Sequence, residues 1–267
     1  MLGAVSRDPS LARDPSLVGA SPKDRFVTVY GRKPVLEALA DERLSVDKVV
    51  LADNAHGAAA REIIDAARHR GVPVQRATAQ RVKVLAGNGK QDQGVLADVV
   101  APRMRMLTDA LAGRSAPTPV LLLDGITTPA NVGMILRTAT AAGLGGIVVP
   151  RRGVATIDPM VVKASAGVAF TAPVLRCATA ADAAADLRAA GYSLFGMDAG
   201  ARRTVFDVEL PQRVAFVLGS ETSGVTDGVR PHINRWVSIP MAGGVESLNV
   251  ASAAAVLCFE LVRRSRA

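Results

Sequence analysis

Residues 238–264 read S-I-P-M-A-G-G-V-E-S-L-N-V-A-S-A-A-A-V-L-C-F-E-L-V-R-R. Val237 and Ile239 carry the alternation of a strand, and Pro240, which has no N–H to give a ladder, ends it. Gly243 and Gly244 let the chain turn without a Cβ penalty and let a ligand approach the main chain closely. The polar residues Glu246, Ser247 and Asn249 then precede an apolar helix, whose start supplies unpaired N–H donors. Taken alone, the segment reads as a helix-capping loop at a strand end. Support for a ligand site has to come from elsewhere in the chain.

Upstream, strand-like runs at 120–124, 146–149, 172–175, 193–197, 214–218 and 236–239 alternate with helical patterns such as 131–142, 180–190 and 249–263. Such alternation predicts a parallel sheet with helices on both faces, which binds ligands at the carboxyl ends of its strands. Two more polar clusters fall at such ends. In D-G-I-T-T-P-A-N-V-G-M-I-L-R-T-A, from Asp124 to Ala139, the apolar stripe is Val132, Ile135, Leu136 and Ala139. Asn131 stands where a helix cap would, so capping and functional roles are both open. Arg137 lies beside the stripe, where a purely structural helix more often carries Ala or Leu. In V-A-F-V-L-G-S-E-T-S-G, an apolar strand ends on Gly219, Ser220 and Glu221. No Lys follows Gly224, so this is not a P-loop, and G-L-G-G at 143–146 is not a dinucleotide fingerprint.

Toward the amino terminus, residues 26–101 alternate short strands (27–30, 46–51, 72–76, 95–100) with helical stretches (31–39, 58–69, 81–86), predicting a small α/β domain. Its Arg32, Lys33, Lys83 and Lys90 are available to meet phosphates, although a solvated charged surface explains them equally well. Residues 102–119, a short helical piece around 104–111 followed by G-R-S-A-P-T-P, read as a linker, which leaves 120–267 as the second domain. Residues 1–25 hold R-D-P-S-L twice and read as a flexible tail, because a five-residue unit of this kind buries nothing.

The 267 residues are 49% apolar and carry a net charge of +8 with an isoelectric point near 10.2, which favours a polyanionic partner. Aromatic residues are only 3%, against a surface built mainly of stacked bases. Two distant cysteines and three scattered histidines give neither a disulfide framework nor a metal centre. With no long apolar run and no signal-peptide core, a cytoplasmic protein is expected.

N-V-G-M-I-L-R-T-A, L-G-S-E-T-S-G and S-I-P-M-A-G-G-V-E-S-L-N-V-A-S-A, in this order, resemble the three signature motifs of the SpoU (TrmH-like) family of RNA ribose 2′-O-methyltransferases, in the SPOUT superfamily. In the front domain, G-R-K-P-V-L-E-A-L and D-Q-G-V are similar to the small RNA-binding domain that many members carry. The resemblance implies a SPOUT-type parallel sheet closed by a deep trefoil knot, an S-adenosylmethionine cofactor held in the knot, and a site completed across a homodimer. By motif matching, Gly219, Ile239 and Leu248 contact the cofactor mainly through backbone, and Met241 and Gly243 shape the pocket. Asn131, Arg137, Glu221, Ser247 and Asn249 form the catalytic and structuring group, while Arg32, Lys33, Lys90 and Arg137 meet RNA. The glycine pair and Glu246 depart from the commoner form of the third motif, which weakens any role for Glu246 itself.

Methyl transfer to a ribose hydroxyl is an in-line displacement that needs the 2′-oxygen aligned and its proton loosened, with no metal. A guanidinium, with a pKa above about 12, is an awkward base. Arg137 is therefore expected to bind the target phosphate and orient or acidify the hydroxyl, with Ser247, Asn249 and Glu221 fixing the geometry. The separate front domain points to 23S ribosomal RNA by analogy. Transfer RNA, and RNA binding by the same fold without catalysis, are the alternatives; a nicotinamide enzyme ranks behind them because its fingerprint is missing.

Overall fold

The computed structural model describes residues 25–87 and 91–266, so the tail up to residue 24 and Lys90 lie outside the described residues. The front domain runs Phe26–Tyr30 (β1), Arg32–Ala40 (α1), Val46–Ala52 (β2), Ala58–His69 (α2), Val74–Ala77 (β3), Ala79–Ala86 (α3) and Val95–Val100 (β4). Its four-stranded sheet has the order β1-β4-β2-β3, antiparallel except for the β2/β3 pair. On α2, Ala60, Ile63 and Ala67 recur at helical spacing and are buried, which turns this face toward the sheet. Val35, Ala38 and Leu39 of α1 enter the same core. On the sheet's other face, Val82 of α3 packs with Tyr30, Val50 and Leu96 in a smaller cluster.

The second domain follows as Arg105–Met106 (β5), Leu107–Ala112 (α4), Val120–Leu123 (β6), Pro129–Ala141 (α5), Gly146–Pro150 (β7), Pro159–Ala164 (α6), Val174–Cys177 (β8), Ala180–Ala189 (α7), Ser193–Met197 (β9), Val214–Leu218 (β10), Arg235–Val237 (β11) and Val250–Ser265 (α8). All seven strands are parallel, in the order β11-β9-β10-β6-β7-β8-β5. The central strands β6, β7 and β10 are buried throughout, as a sheet covered on both faces requires.

The stretch read as a linker is more than a tether. Arg105 and Met106 pair with Leu175 and Arg176 as an edge strand of the large sheet, and Leu107 and Ala110 of α4 are buried in its core. Two residues are too few for a periodicity to register in sequence, so only the pairing reveals this seventh strand. The last strand also stops sooner than its pattern suggested. After Val237, Ser238 exchanges backbone hydrogen bonds with the Arg203–Val205 segment instead (2.9 and 2.8 Å).

Strand order reverses between β6 and β10, which lie side by side with Leu123 opposite Leu218. Ligands of open α/β sheets bind outside the carboxyl ends of strands at such a switch point. Both Asp124–Gly125 and Gly219–Glu221 emerge there. Asp124 fixes the two loops together, accepting from the Thr226 backbone at 2.7 Å and the Thr226 hydroxyl at 3.2 Å.

Candidate functional site

Three segments converge on one polar hub. Glu221 Oε1 accepts from Asn249 Nδ2 (2.6 Å), Asn131 Nδ2 (3.3 Å) and the Val250 backbone N–H (3.0 Å). Asn249 Nδ2 also donates to Asn131 Oδ1 (3.1 Å), closing a triangle of side chains. Asn249 in addition caps α8, its Oδ1 accepting from Ala251 N–H at 2.9 Å. A carboxylate at this helix start meets the positive end of the α8 dipole.

Asn131 is not the cap of its helix. Thr128 holds that position and Pro129 opens the first turn, so Asn131 falls at the third helical residue, 6% exposed, with its amide given to Glu221 and Asn249. A buried amide needs its partners, and this one finds both on other segments of the chain. Gly133 lets α5 come this close to α6: a Cβ there would lie 2.5 Å from Ala164 Cβ and 2.7 Å from the Val161 oxygen.

Beside the hub opens a cavity of 240 Å³, walled by Gly219, Glu221, Ile239, Met241, Ser247 and Leu248 among others. Its walls are apolar at Leu218, Ile239, Met241 and Leu248 and polar at Asp198, Ser220, Glu221 and Ser247. Among the described residues, no hydrogen bond engages the backbone of Ile239, Met241 or Leu248, so their main-chain groups are open to a ligand. Apolar walls for a flat base, free backbone donors and acceptors for its edge, and nearby side-chain oxygens fit S-adenosylmethionine. Gly219 is required by a close approach: its Cβ would stand 2.1 Å from the Gly224 carbonyl carbon, in a turn closed by mutual Ser220 and Gly224 backbone bonds.

Other predicted residues sit apart. Gly243 does not line the cavity; it and Gly244 have φ of +67° and +75° with open space around them, so they serve the turn. Arg137 is exposed on α5, and among the described residues no hydrogen bond or ion pair holds it. Arg32 and Lys33 lie on α1 of the front domain and line neither the cavity nor the hollow beside the hub; Lys33 approaches Glu37 at 3.8 Å. Sequence reasoning missed Asp198, which follows β9 and enters the cavity wall, and the Asp124–Thr226 clamp. An acid directly after a strand, at the ligand-binding edge of a parallel sheet, was the available signal for both. The cysteines are inert: burial pushes the Cys177 and Cys258 thiols up to about 12. Among the described residues no cluster of His, Cys, Asp or Glu could hold a metal ion, and no helix is long and apolar enough to cross a membrane.

Comparison with known proteins agrees with this geometry. Residues 118–259 match the SpoU rRNA Methylase family, and residues 28–105 match the RNA 2′-O ribose methyltransferase substrate binding family. The chain is 34% identical over 242 residues to the 23S rRNA (guanosine-2′-O-)-methyltransferase RlmB of Xanthomonas axonopodis pv. citri, covering 88% of this chain and 96% of that one. RlmB of Neisseria meningitidis is 32% identical over 239 residues, with 89% and 95% covered. Among solved structures, the SpoU methyltransferase AviRb of Streptomyces viridochromogenes in complex with AdoMet superposes with a TM-score of 0.60 at 27% identity, over 94% of this chain and 96% of AviRb. That likeness supports binding of the same cofactor here.

Proposed function

We propose that this protein, which belongs to the SpoU family of S-adenosylmethionine-dependent RNA 2′-O-ribose methyltransferases, acts on 23S ribosomal RNA. The observation that carries the reading is the Asn131–Glu221–Asn249 hub, set against a cavity with free backbone at Ile239, Met241 and Leu248. The ribosomal target is favoured by the names of the RlmB relatives, which align over nearly their whole length, front domain included. Transfer RNA is the second reading, since nothing in the hub discriminates between folded RNAs.

When bound, S-adenosylmethionine supplies the sulfonium methyl that the ribose 2′-oxygen attacks in line. Gly219, Ile239 and Leu248 would hold the cofactor through backbone, and Met241 would pack against it. Gly243 acts indirectly, by bending the loop that presents Met241 and Ser247. Ser247, exposed on the cavity wall, would accept the hydrogen bond of the 2′-hydroxyl, whose proton would pass to water as the methyl is transferred and S-adenosylhomocysteine leaves. The hub fixes the start of α8 and hence Ser247, two residues before Asn249. Arg137 binds the target phosphate and polarises the hydroxyl, and it reaches the site from a second copy of the chain. Exposed Met134 and Phe259, 41% and 53% accessible on the adjacent helices α5 and α8, supply an apolar face for that dimer.

The segment 238–249 is held between the Arg203–Val205 loop at one end and Glu221 at the other, as a chain drawn through a trefoil knot would be. Because rRNA maturation and two unpaired cysteines both suit a reducing interior, we place the reaction in the cytoplasm. The test is to incubate the purified chain with methyl-labelled cofactor and either unmodified 23S rRNA or bulk tRNA, then map alkali-resistant linkages. One resistant position in 23S rRNA is expected. Label confined to tRNA would move the assignment to the second reading, and no label on either RNA would refute both.

A further inference from the structure

The hub does not end the concave surface. A hollow of 230 Å³ lined by Gly125, Thr127, Thr128, Asn131 and Ser223 shares Ser220, Glu221 and Val250 with the cofactor cavity. Through Thr127 it adjoins a second hollow of 390 Å³ between the two domains, walled by Phe26, Thr28 and Tyr30 on one side and Ala155–Asp158 and Arg176 on the other. Phe26, Thr28 and Leu85 in turn border a third, of 410 Å³, on the open part of the four-stranded sheet beside α3. Neighbouring hollows share wall residues, so the three follow one another in a run from the outer sheet of the front domain across the domain boundary to Glu221.

Its charge is positive. Lys48, Arg76, Arg81 and Arg176 line the two front hollows against the acids Asp98 and Asp158. Both acids are engaged: Asp98 with Lys48 (3.2 Å) and the Thr28 hydroxyl (2.7 Å), Asp158 with the Tyr30 hydroxyl (3.2 Å) and the backbone N–H groups that open α6. Arg81 is exposed, and among the described residues its guanidinium has no partner. Arg103 and Arg151 stand exposed on the segments that rim the domain boundary. In a chain with nine aromatic residues, Phe26 and Tyr30 point from one face of β1 into this run, with Lys48 Nζ 5.9 Å from the Phe26 ring centre. A cationic trough with an aromatic floor is the chemistry that holds single-stranded nucleic acid. A hollow of nucleotide size between two domains suits one strand better than an A-form duplex, whose grooves must be met from outside.

We propose that this trough is the bed of a single-stranded stretch of RNA leading to the target nucleotide, with the exposed Arg76 and Arg81 meeting phosphates and Phe26 stacking on a base; Arg176, buried and donating to the Val149 oxygen at 2.8 Å, adds only its charge to the wall. The proposal rests on the RNA methyltransferase reading above. It also relocates the RNA surface: Arg32 and Lys33 belong to α1, which covers the opposite face of the four-stranded sheet.

The test uses the full chain, oligouridylate as the binding probe and 23S rRNA as the methyl acceptor. Arg76→Ala/Arg81→Ala, which removes two exposed guanidiniums and with them the Arg76 Nη1 bonds to the Ala52 and Ala55 oxygens (3.0 and 3.1 Å), is expected to weaken oligouridylate binding at least tenfold while far-ultraviolet circular dichroism stays at wild type. It should also lower the slope of log affinity against log salt by about 0.7 for each phosphate that is no longer neutralised. Phe26→Leu should weaken binding with the slope unchanged, because stacking releases no counterions. Both variants should raise KM for RNA while leaving affinity for S-adenosylmethionine at the wild-type value. Arg32→Ala/Lys33→Ala should bind oligouridylate as wild type does. If the trough variants keep wild-type slope and KM, or the α1 variant takes the loss instead, the trough is overturned while the enzyme assignment stands. A wild-type chain that labels no RNA would sink the enzyme reading itself, a result separable from the first.

Discussion

At the scale of single residues, the hub makes two roles of Asn249 separable. Its Oδ1 caps α8, while its Nδ2 donates to Glu221 and Asn131. Asp is as good a cap as Asn, but a carboxylate cannot donate and would face Glu221 with like charge. Asn249→Asp is therefore expected to retain the cap, so that any stability it loses comes from the hub alone, while methyl transfer falls about a hundredfold through misplacement of the site. Asn249→Ala should lose both, with about 1 kcal/mol of stability gone from the missing cap; thermal unfolding beside single-turnover rates reads the difference. Gly219 allows an equally sharp expectation. A methyl group there collides with the Gly224 main chain, so the turn must open. Gly219→Ala should cost about 1–3 kcal/mol and weaken cofactor binding measured by calorimetry at least tenfold. Asn131, Glu221 and Asn249 were all legible as candidates in the sequence. Their mutual bonds were not, because 90 and 28 residues separate the partners of Glu221 along the chain.

At the scale of elements, α8 is anchored at both ends. Its start is tied into the hub, and its last turn is locked by Glu260, which accepts from Arg263 Nε (2.7 Å), Arg263 Nη2 (2.8 Å) and Arg264 Nε (2.7 Å). Arg264 continues the lock, donating to the backbone oxygens of Val205 and Val208. Hydrogen bonds from Arg263, with Arg264 adding to them against the opposing effect of burial, hold the Glu260 carboxyl down to about 2. A carboxyl depressed in the folded state contributes stability above its unfolded pKa and loses it as pH falls through the folded value. The stability advantage of wild type over Glu260→Gln should thus be full at neutral pH and vanish between about pH 4.3 and about 2; melting curves across that interval check it. The helix itself was evident from its apolar periodicity. The lock was not, since an E-x-x-R-R end reads as an ordinary solvated turn until Val205 and Val208 are brought beneath it.

At the scale of the whole molecule, the proposed mechanism brings Arg137, exposed on α5, to the hub of a second copy. If Arg137 of one copy completes the hub of the other, mixing Arg137→Ala with Asn249→Asp, each inactive alone, should restore activity. Random pairing gives half mixed dimers with one intact site each, so the recovery should approach about one quarter of wild type, as two-fold symmetry dictates. No recovery in an exchange-competent mixture would place Arg137 at the hub of its own chain. Phe259→Glu should in parallel shift the protein toward monomer in sedimentation and lower its activity.

The sequence by itself determined the two α/β units, the parallel character of the second sheet and the three polar clusters, because periodicity and strand-end glycines are local properties of the chain. The ordered motifs also singled out Gly219, Ile239, Met241 and Leu248, which the fold brings to the wall of one cavity, and Gly243, which lies outside it. Only the tertiary structure decided that Asn131 is a buried partner rather than a cap, that Arg105 and Met106 complete the large sheet, and that Arg137 is exposed. It also decided that a basic trough crosses the domain boundary on the face away from Arg32 and Lys33. Each of these depends on which distant segment lies opposite a residue. Strand order and packing fix that, whereas the spacing of side chains along one helix or strand does not. The closing junction shows the division plainly: its glycines and cap were readable as a turn, but its meaning as a site came from Glu221, folded against it from the end of β10.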